Sequence, residues 1–521
     1  MVQWQTMSTW SEQRKLALLM AFHTLWASVL GWSIAKYGLG ASTDSVVYLF
    51  AATNWAQGKG LVSFDGSPYW LWPPLYPLLI ALVHRATGLS AFAAAHVTQF
   101  LAFFLYAYFA SRLFLRIFRG DLLWAALAGL LLDIGPVVVS TFHLVGSDYI
   151  YALFIVIVAV LNGEYARTQK WTTALLMALL AALAALQRYI GFVDVAVAGA
   201  ALLYWTRGNW RKRLSRALPV AFCALAPLLW LRYYQVFGEG RWREPLPFTR
   251  YFAQFTTGML GWFVPETAIE ANYPLYALAL WSILSLLIIA FLSLARRYAL
   301  LTPYSAPLLG YGLLYVLALF GRALQVYFNR LWGRFQLPIY LPLLLLLLLT
   351  LHALKRILAE QESGSLRTLA WSLPLSIVLA IGVLLGRTTA HRLLDARRGN
   401  IPENIYNTSA WAENRVLHYW KAHRPQGEYL LFANYPAGVA LHTGHWVYPS
   451  PRKFATPYSS TVIPLSDYRT TLFAPGKETY LIWIEPNTYE HLYRPDELTP
   501  LAEIEPILSG EDGGLYRLSP R

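Results

Sequence analysis

Long apolar runs separated by short polar segments rich in Lys and Arg dominate this chain, and each run of about 20 residues is long enough to cross a bilayer as a helix. The pattern predicts eleven spans, near 16–37, 91–111, 121–141, 148–166, 171–187, 190–206, 217–236, 274–295, 303–321, 335–354 and 369–386. The first, from Leu16 to about Tyr37, exceeds the usual signal-peptide core and lacks a small-x-small cleavage site, so it reads as a retained helix. A further apolar piece, Pro73 to about Val83, breaks the parity if counted as a crossing, and is assigned as a juxtamembrane or re-entrant helix.

The basic clusters give the orientation, because Lys and Arg concentrate on the cytoplasmic side. Arg14 and Lys15, then Arg112, Arg116 and Arg119, then Arg167 and Lys170, then the cluster from Arg207 to Arg216, then Arg296 and Arg297, then Lys355, Arg356 and Arg367 all fall on one side of this arrangement. The expectation is an integral protein of a bacterial-type plasma membrane with its N-terminus cytoplasmic. Segments 38–90, 142–147, around 188, 237–273, 322–334 and 387–521 then face outward.

After about Thr388 the chain gains Pro, Asn, Asp and Glu. The helix-like TSAWAENRVLHYWKAH and the strand-like EYLLFAN and TYLIWIE predict a small α/β domain. The expected organisation is thus a polytopic α-helical membrane domain over 1–387, carrying a large external loop at 38–90, and an extracytoplasmic α/β domain over 388–521.

Composition agrees: 57% of the 521 residues are hydrophobic and 13% charged, against about a quarter charged in soluble domains. The 21 Trp and 33 Tyr suit membrane interfaces. A formal charge of +14 could suggest nucleic acid, but the basic residues sit in the topological clusters, so nucleic acid is not an expected partner. The single cysteine, Cys223, excludes an intrachain disulfide.

Candidate chemistry concentrates in the first external loop. After Asp44, Val47, Phe50, Ala51 and Trp55 recur at helical spacing, which predicts a helix lying on the membrane with Thr43 or Asp44 at its N-terminal end. Asp44 can therefore be a helix cap, or a general base acting on an acceptor hydroxyl or amine. His84, His96 and His143 are scattered singly; His442 and His445 are three apart, but no further ligand completes a zinc set. No phosphate-binding glycine loop supports a nucleotide substrate.

The loop residues TDSVVYLFAATNWAQGKG and SPYWLWPPLYPLL, followed by FHLVGSDYIYALF, ALQRYIGF and RFQLPIYLPLLLL, resemble in order the segments of GT-C membrane glycosyltransferases. The similarity is to the bacterial branch related to protein O-mannosyltransferases and lipid A aminoarabinose transferases. YNTSAWAENRVLHYW and LLFANYPAGVALHTGH extend it into the C-terminal domain.

This resemblance implies an inverting sugar transfer from a polyprenyl-phosphate donor to a glycan, lipid or protein acceptor at the external face. It puts Asp44 at the catalytic-acid position and Asp148 at a second acidic position. Arg188, Arg334, Lys59 and Arg322 become candidates to neutralise the donor phosphate, and Tyr69, Trp70 and Trp72 to border the lipid groove. The monophosphate-donor branch implies no cofactor and no divalent metal.

Each of these residues also has a plainer reading. Arg188 and Arg334 can snorkel at span ends, Asp148 can cap its helix, and Trp70 and Trp72 can be interfacial anchors. Asp133 and Asp194 fall inside spans, where a carboxylate usually faces a partner or a cavity, and could line a transport path. A transporter or flippase, and a non-catalytic accessory subunit, are therefore the alternatives to a transferase.

Overall fold

The structure, a computed structural model, describes residues 10–238, 245–328, 330–361, 364–454, 461–487 and 489–521. Part of the expected external segment 237–273, residues 239–244, lies outside them. Contacts divide the chain into two compact units. One comprises the chain up to Lys36, Trp70–Leu79 and His96–Ile401; the other comprises Tyr37–Tyr69, Ile80–Ala95 and Pro402–Arg521.

The first unit is an integral membrane helix bundle. Among the described residues, eight helices are long and apolar enough to cross a membrane, or nine if a bent pair counts as one span. Two of the expected spans are the shorter apolar helices Trp171–Gln187 and Tyr189–Trp205, and the Pro73–Val83 piece lies largely in the short helix Leu75–Thr87. Trp171–Gln187 presents Ala174, Ala178 and Ala181 at one-turn spacing to Ala198, Leu202 and Val220, small side chains that let helices pack closely without polar groups.

The span expected at 121–141 is not continuous. It is Leu122–Asp133 followed by Pro136–Phe142, bent by 55°. Pro136 starts the second piece and cannot continue the hydrogen-bond ladder of the first. Gly135 faces the ring of Tyr340, which an added Cβ would meet at 2.6 Å. The carbonyls released at the break are satisfied by side chains: Tyr340 donates to Leu131 O at 2.6 Å and Thr389 to Ile134 O at 2.6 Å. Gln99 donates to Phe142 O at 3.0 Å, and Ser33 meets His143 Nε2 at 2.9 Å.

Several of the basic residues expected on one side of the membrane meet at one end of the bundle. Arg116 pairs with Glu12 at 3.1 Å, Arg112 and Arg167 pair with Glu164 at 3.5 and 2.7 Å, and Lys15 donates to Gly120 O at 2.8 Å. Tyr304 also reaches Glu164, and the neighbouring Arg297 and Tyr298 reach Glu360. Glu164 lies near the C-terminus of the helix Asp148–Thr168, so Asp148 at its N-terminus stands roughly 24 Å away along the axis.

In the second unit, residues 402–521 form a five-stranded sheet of order β2-β1-β3-β5-β4. The strands are β1 (Tyr429–Ala433), β2 (Tyr448–Pro449), β3 (Glu478–Ile484), β4 (Ala502–Gly510) and β5 (Gly513–Pro520). β1 lies parallel to β2 and β3, and β5 runs antiparallel to both β3 and β4. The expected helix at TSAWAENRVLHYWKAH is two, Ser409–Ala412 and Arg415–Ala422, separated where Asn414 caps the second.

The first loop belongs to this unit. Asn407 donates to Tyr37 O and Leu39 O at 2.6 and 2.7 Å, and Asn404 accepts from Ala41 N at 2.9 Å. The helix Thr43–Ala56 then places Val46 in the core with Tyr406, Leu417, Trp420 and Ile482, with Val47 and Phe50 packed alongside. The apolar face expected to lie on the membrane is thus covered by the sheet domain.

Candidate functional site

The helix bundle brings Asp148 and Arg188 together. Arg188 sits in an extended conformation (φ −149°, ψ 139°) between the helix Trp171–Gln187 and the turn Tyr189–Gly191. Its N–H donates to Ala184 O at 3.0 Å, and Gly191 N–H donates to Arg188 O at 2.8 Å. A Cβ on Gly191 would come within 2.3 Å of Ala184 O, so only glycine permits so tight a reversal. The turn docks on the start of the neighbouring helix: Gln187 donates to Ser147 O at 3.0 Å, while Arg188 Nη1 reaches Ser147 Oγ at 3.3 Å and Asp148 Oδ1 at 2.5 Å.

This ion pair is nearly buried, with side-chain exposures of 5% for Asp148 and 13% for Arg188. Both contacts use Nη1, so Nη2 and Nε of Arg188 make no hydrogen bond among the described residues. Asp148 fixes the direction of the guanidinium and leaves part of its donor fork for a ligand.

Arg188 also lies over the ring of Phe335 at 5.6 Å, and Arg334 lies over the same ring at 5.6 Å. The two guanidiniums thus share one aromatic platform, which bounds their separation at about 11 Å. Tyr315 holds this platform by donating to Phe335 O at 2.9 Å. Its ring stacks on Tyr311, whose hydroxyl meets that of Tyr151, one turn along the helix from Asp148, at 2.7 Å.

Arg322, another expected phosphate ligand, stands apart from these within the bundle. Arg322 is exposed near the end of the helix Ser305–Ala323 and binds Gln325 at 3.1 Å, two turns beyond Tyr315. Trp70 is 8% exposed and Trp72 half-buried; their carbonyls accept from Tyr189 at 3.5 Å and Trp230 at 3.2 Å. Through Tyr189, Trp70 is joined to the turn that carries Arg188.

In the second unit, the N-cap of the helix Thr43–Ala56 is Ser42, in a reciprocal capping box with Ser45. The cap is therefore neither of the expected residues, Thr43 or Asp44: Asp44 lies in the first turn, half-buried, where the helix dipole favours its carboxylate. Thr43 beside it meets Tyr406 Oη at 3.3 Å. Lys59 is exposed past the other end of this helix, beyond about 18 Å of helix from Asp44. Tyr69, 2% exposed, is packed rather than presented.

Both intramembrane acids are buried. Asp133 meets His23 Nδ1 at 2.7 Å, and His23 Nε2 meets Ser111 Oγ at 3.0 Å, all three side chains being buried. Asp194 is 1% exposed, and its buried Oδ2 has no hydrogen-bond partner among the described residues. In the sheet domain, His442 Nε2 lies 2.7 Å from Tyr406 O, His445 reaches Arg424, and burial lowers both histidines below their ordinary range. Among the described residues no group of three or more His, Cys, Asp or Glu is placed to hold a metal ion.

ArnT from Cupriavidus metallidurans shares this architecture from end to end. In its apo state it aligns over 97% of this chain and 98% of its own at a TM-score of 0.59 and 15% identity. Bound to undecaprenyl phosphate, it aligns over the same shares at 0.59 and 16%. This chain has the GT-C fold. The mycobacterial arabinofuranosyltransferase AftD matches 99% of the chain with 40% of its own length, at a TM-score of 0.51 and 15% identity. A scan of protein-family profiles and a search of curated proteins found no match.

Within the GT-C fold, sequence reasoning missed Ser147, Gln187, Tyr315 and Phe335. The first two flank named candidates and Phe335 follows Arg334 directly, so proximity was the available signal. Tyr315 lies mid-span with no local signal, and only the tertiary contact with Phe335 reveals it.

Proposed function

We propose that this protein transfers a sugar from a polyprenyl-phosphate carrier to an acceptor at the external face of the membrane, inverting the anomeric centre. The observation that carries this reading is the GT-C fold, shared over 97% of the chain with a protein captured on undecaprenyl phosphate. The oriented guanidinium of Arg188 supports it, because a phosphate leaving group gains charge as the glycosidic bond breaks and a fixed cation stabilises that charge.

In the proposed reaction the acceptor oxygen attacks the anomeric carbon while the bond from that carbon to the phosphate oxygen breaks. The electron pair leaves on the carrier phosphate, which Arg188 and Arg334 neutralise. Asp44 takes the acceptor proton as general base. Asp148 keeps Arg188 aimed, and Trp72 borders the lipid. Arg322, exposed, serves as an outer phosphate contact, Lys59 takes no part in this step, and no divalent metal is required. The acceptor is a glycan, lipid or protein of the cell envelope.

A transport path is the weaker reading. The two acids that would line it, Asp133 and Asp194, are 3% and 1% exposed within the packed bundle, and Asp133 is hydrogen-bonded to His23.

Cryo-electron microscopy of the protein in nanodiscs containing undecaprenyl phosphate tests the proposal. Phosphate density within hydrogen-bond reach of Arg188 is expected. A phosphate bound away from both Arg188 and Arg334 would contradict it.

A further inference from the structure

The C-terminal sheet domain carries a cleft of about 350 Å³, separate from the residues assigned above. It lies where β4 and β5 face the short turn Pro495–Leu498. Sites that bury small ligands run from roughly 300 Å³ upward, so it is large enough for a sugar residue.

Its two sides differ in chemistry. On one side, the ring of Tyr516 folds back over Gly514 of the same strand: a Cβ there would meet the tyrosine hydroxyl at 2.5 Å. The absence of that Cβ lets the ring lie low across β5 beside Pro506, its partner on β4, where the register slips between Pro506 and Leu508. Such irregularities re-aim side chains at strand edges. The buried Trp483 forms the floor.

The other side is polar and partly prearranged. Trp483 Nε1 donates to Glu485 Oε1 at 3.0 Å and Asn487 N–H to Oε2 at 2.6 Å, fixing the carboxylate while it stays 33% exposed. Arg494 stands 3.8 Å from Glu485 and is 61% exposed. Asp496 and Thr499 complete this wall, both exposed.

We propose that this cleft binds a neutral saccharide. A sugar ring offers an apolar C–H face and a rim of hydroxyls that both donate and accept. An aromatic face opposite one fixed carboxylate, a second exposed one, a guanidinium and a hydroxyl meets both requirements. Two carboxylates against one guanidinium leave the wall without the positive charge that a phosphate or carboxylate ligand needs. Holding Glu485 in place beforehand lowers the entropy lost on binding.

The test is isothermal titration of the full-length protein in nanodiscs with neutral oligosaccharides: the manno-, gluco- and galacto- series, without lipid donor. Because no turnover is measured, the result is independent of the transfer reaction. Saturable binding of at least one series is expected, weakened roughly tenfold or more by Tyr516→Ala and by Arg494→Ala, and kept within about twofold by Tyr516→Phe, since aromatic and Arg anchors dominate such contacts. Thermal unfolding controls for folding of each variant. Absence of binding throughout the three series, binding unchanged in both alanine variants, or competition by inorganic phosphate would each overturn the proposal.

Discussion

Asp148 and Arg188 form an ion pair of 2.5 Å between side chains only 5% and 13% exposed, linking the start of one membrane helix to the turn between two others. Removing one partner of such a pair leaves the other charge buried and uncompensated, at a cost of about 3–5 kcal/mol. Asp148→Asn is therefore expected to lower the stability of the detergent-solubilised protein by an amount of that order in equilibrium unfolding. Under the proposed function, affinity for a polyprenyl-phosphate carrier should fall with it, because Arg188 loses its orientation.

Tyr315→Phe removes only the hydroxyl that holds Phe335 O at 2.9 Å. A hydrogen bond of this kind contributes about 1 kcal/mol, equivalent to roughly fivefold in a binding constant. Steady-state kinetics should show KM for the lipid donor rising by about that factor with kcat changed less. An equal fall in kcat with KM constant would place Tyr315 in the chemical step instead.

Gly191→Ala tests the turn itself. The new methyl has no room against Ala184 O, so the backbone around Arg188 must shift. The variant should insert in membranes and keep its helical circular dichroism while losing at least about tenfold in donor affinity, since misplacement by an ångström is enough to cost that much.

Eight of the long apolar helices among the described residues were readable as spans because runs of bilayer length admit few alternatives. The break at Ile134 was written in the chain as Gly135 followed by Pro136, but the surrounding leucines and valines masked it. The helix after Ser42 was legible as a helix; an apolar stripe does not say what covers it, and Val46 is covered by the sheet domain. Asp148 and Arg188 were each legible as external candidates, yet 40 positions apart nothing in the sequence pairs them.

The sheet domain should be acid-sensitive. Burial lowers His442 below its ordinary value of 6.5, so below that pH the unfolded chain binds protons that the folded one excludes. Stability therefore falls as pH drops from about 7 toward the depressed folded value. Urea unfolding of the full-length protein, followed by a probe in residues 402–521, should show a lower midpoint at about pH 5 than at pH 7. His442→Gln should flatten part of that slope.

Release of polyprenyl phosphate from a panel of polyprenyl-phosphate sugars, in nanodiscs with envelope acceptors, tests the central claim most directly. Asp44→Asn should cut kcat by about a hundredfold or more at nearly unchanged donor KM, as loss of a general base requires, while Arg188→Ala lowers kcat/KM through the leaving group. Full turnover by the Asp44→Asn protein would contradict the account.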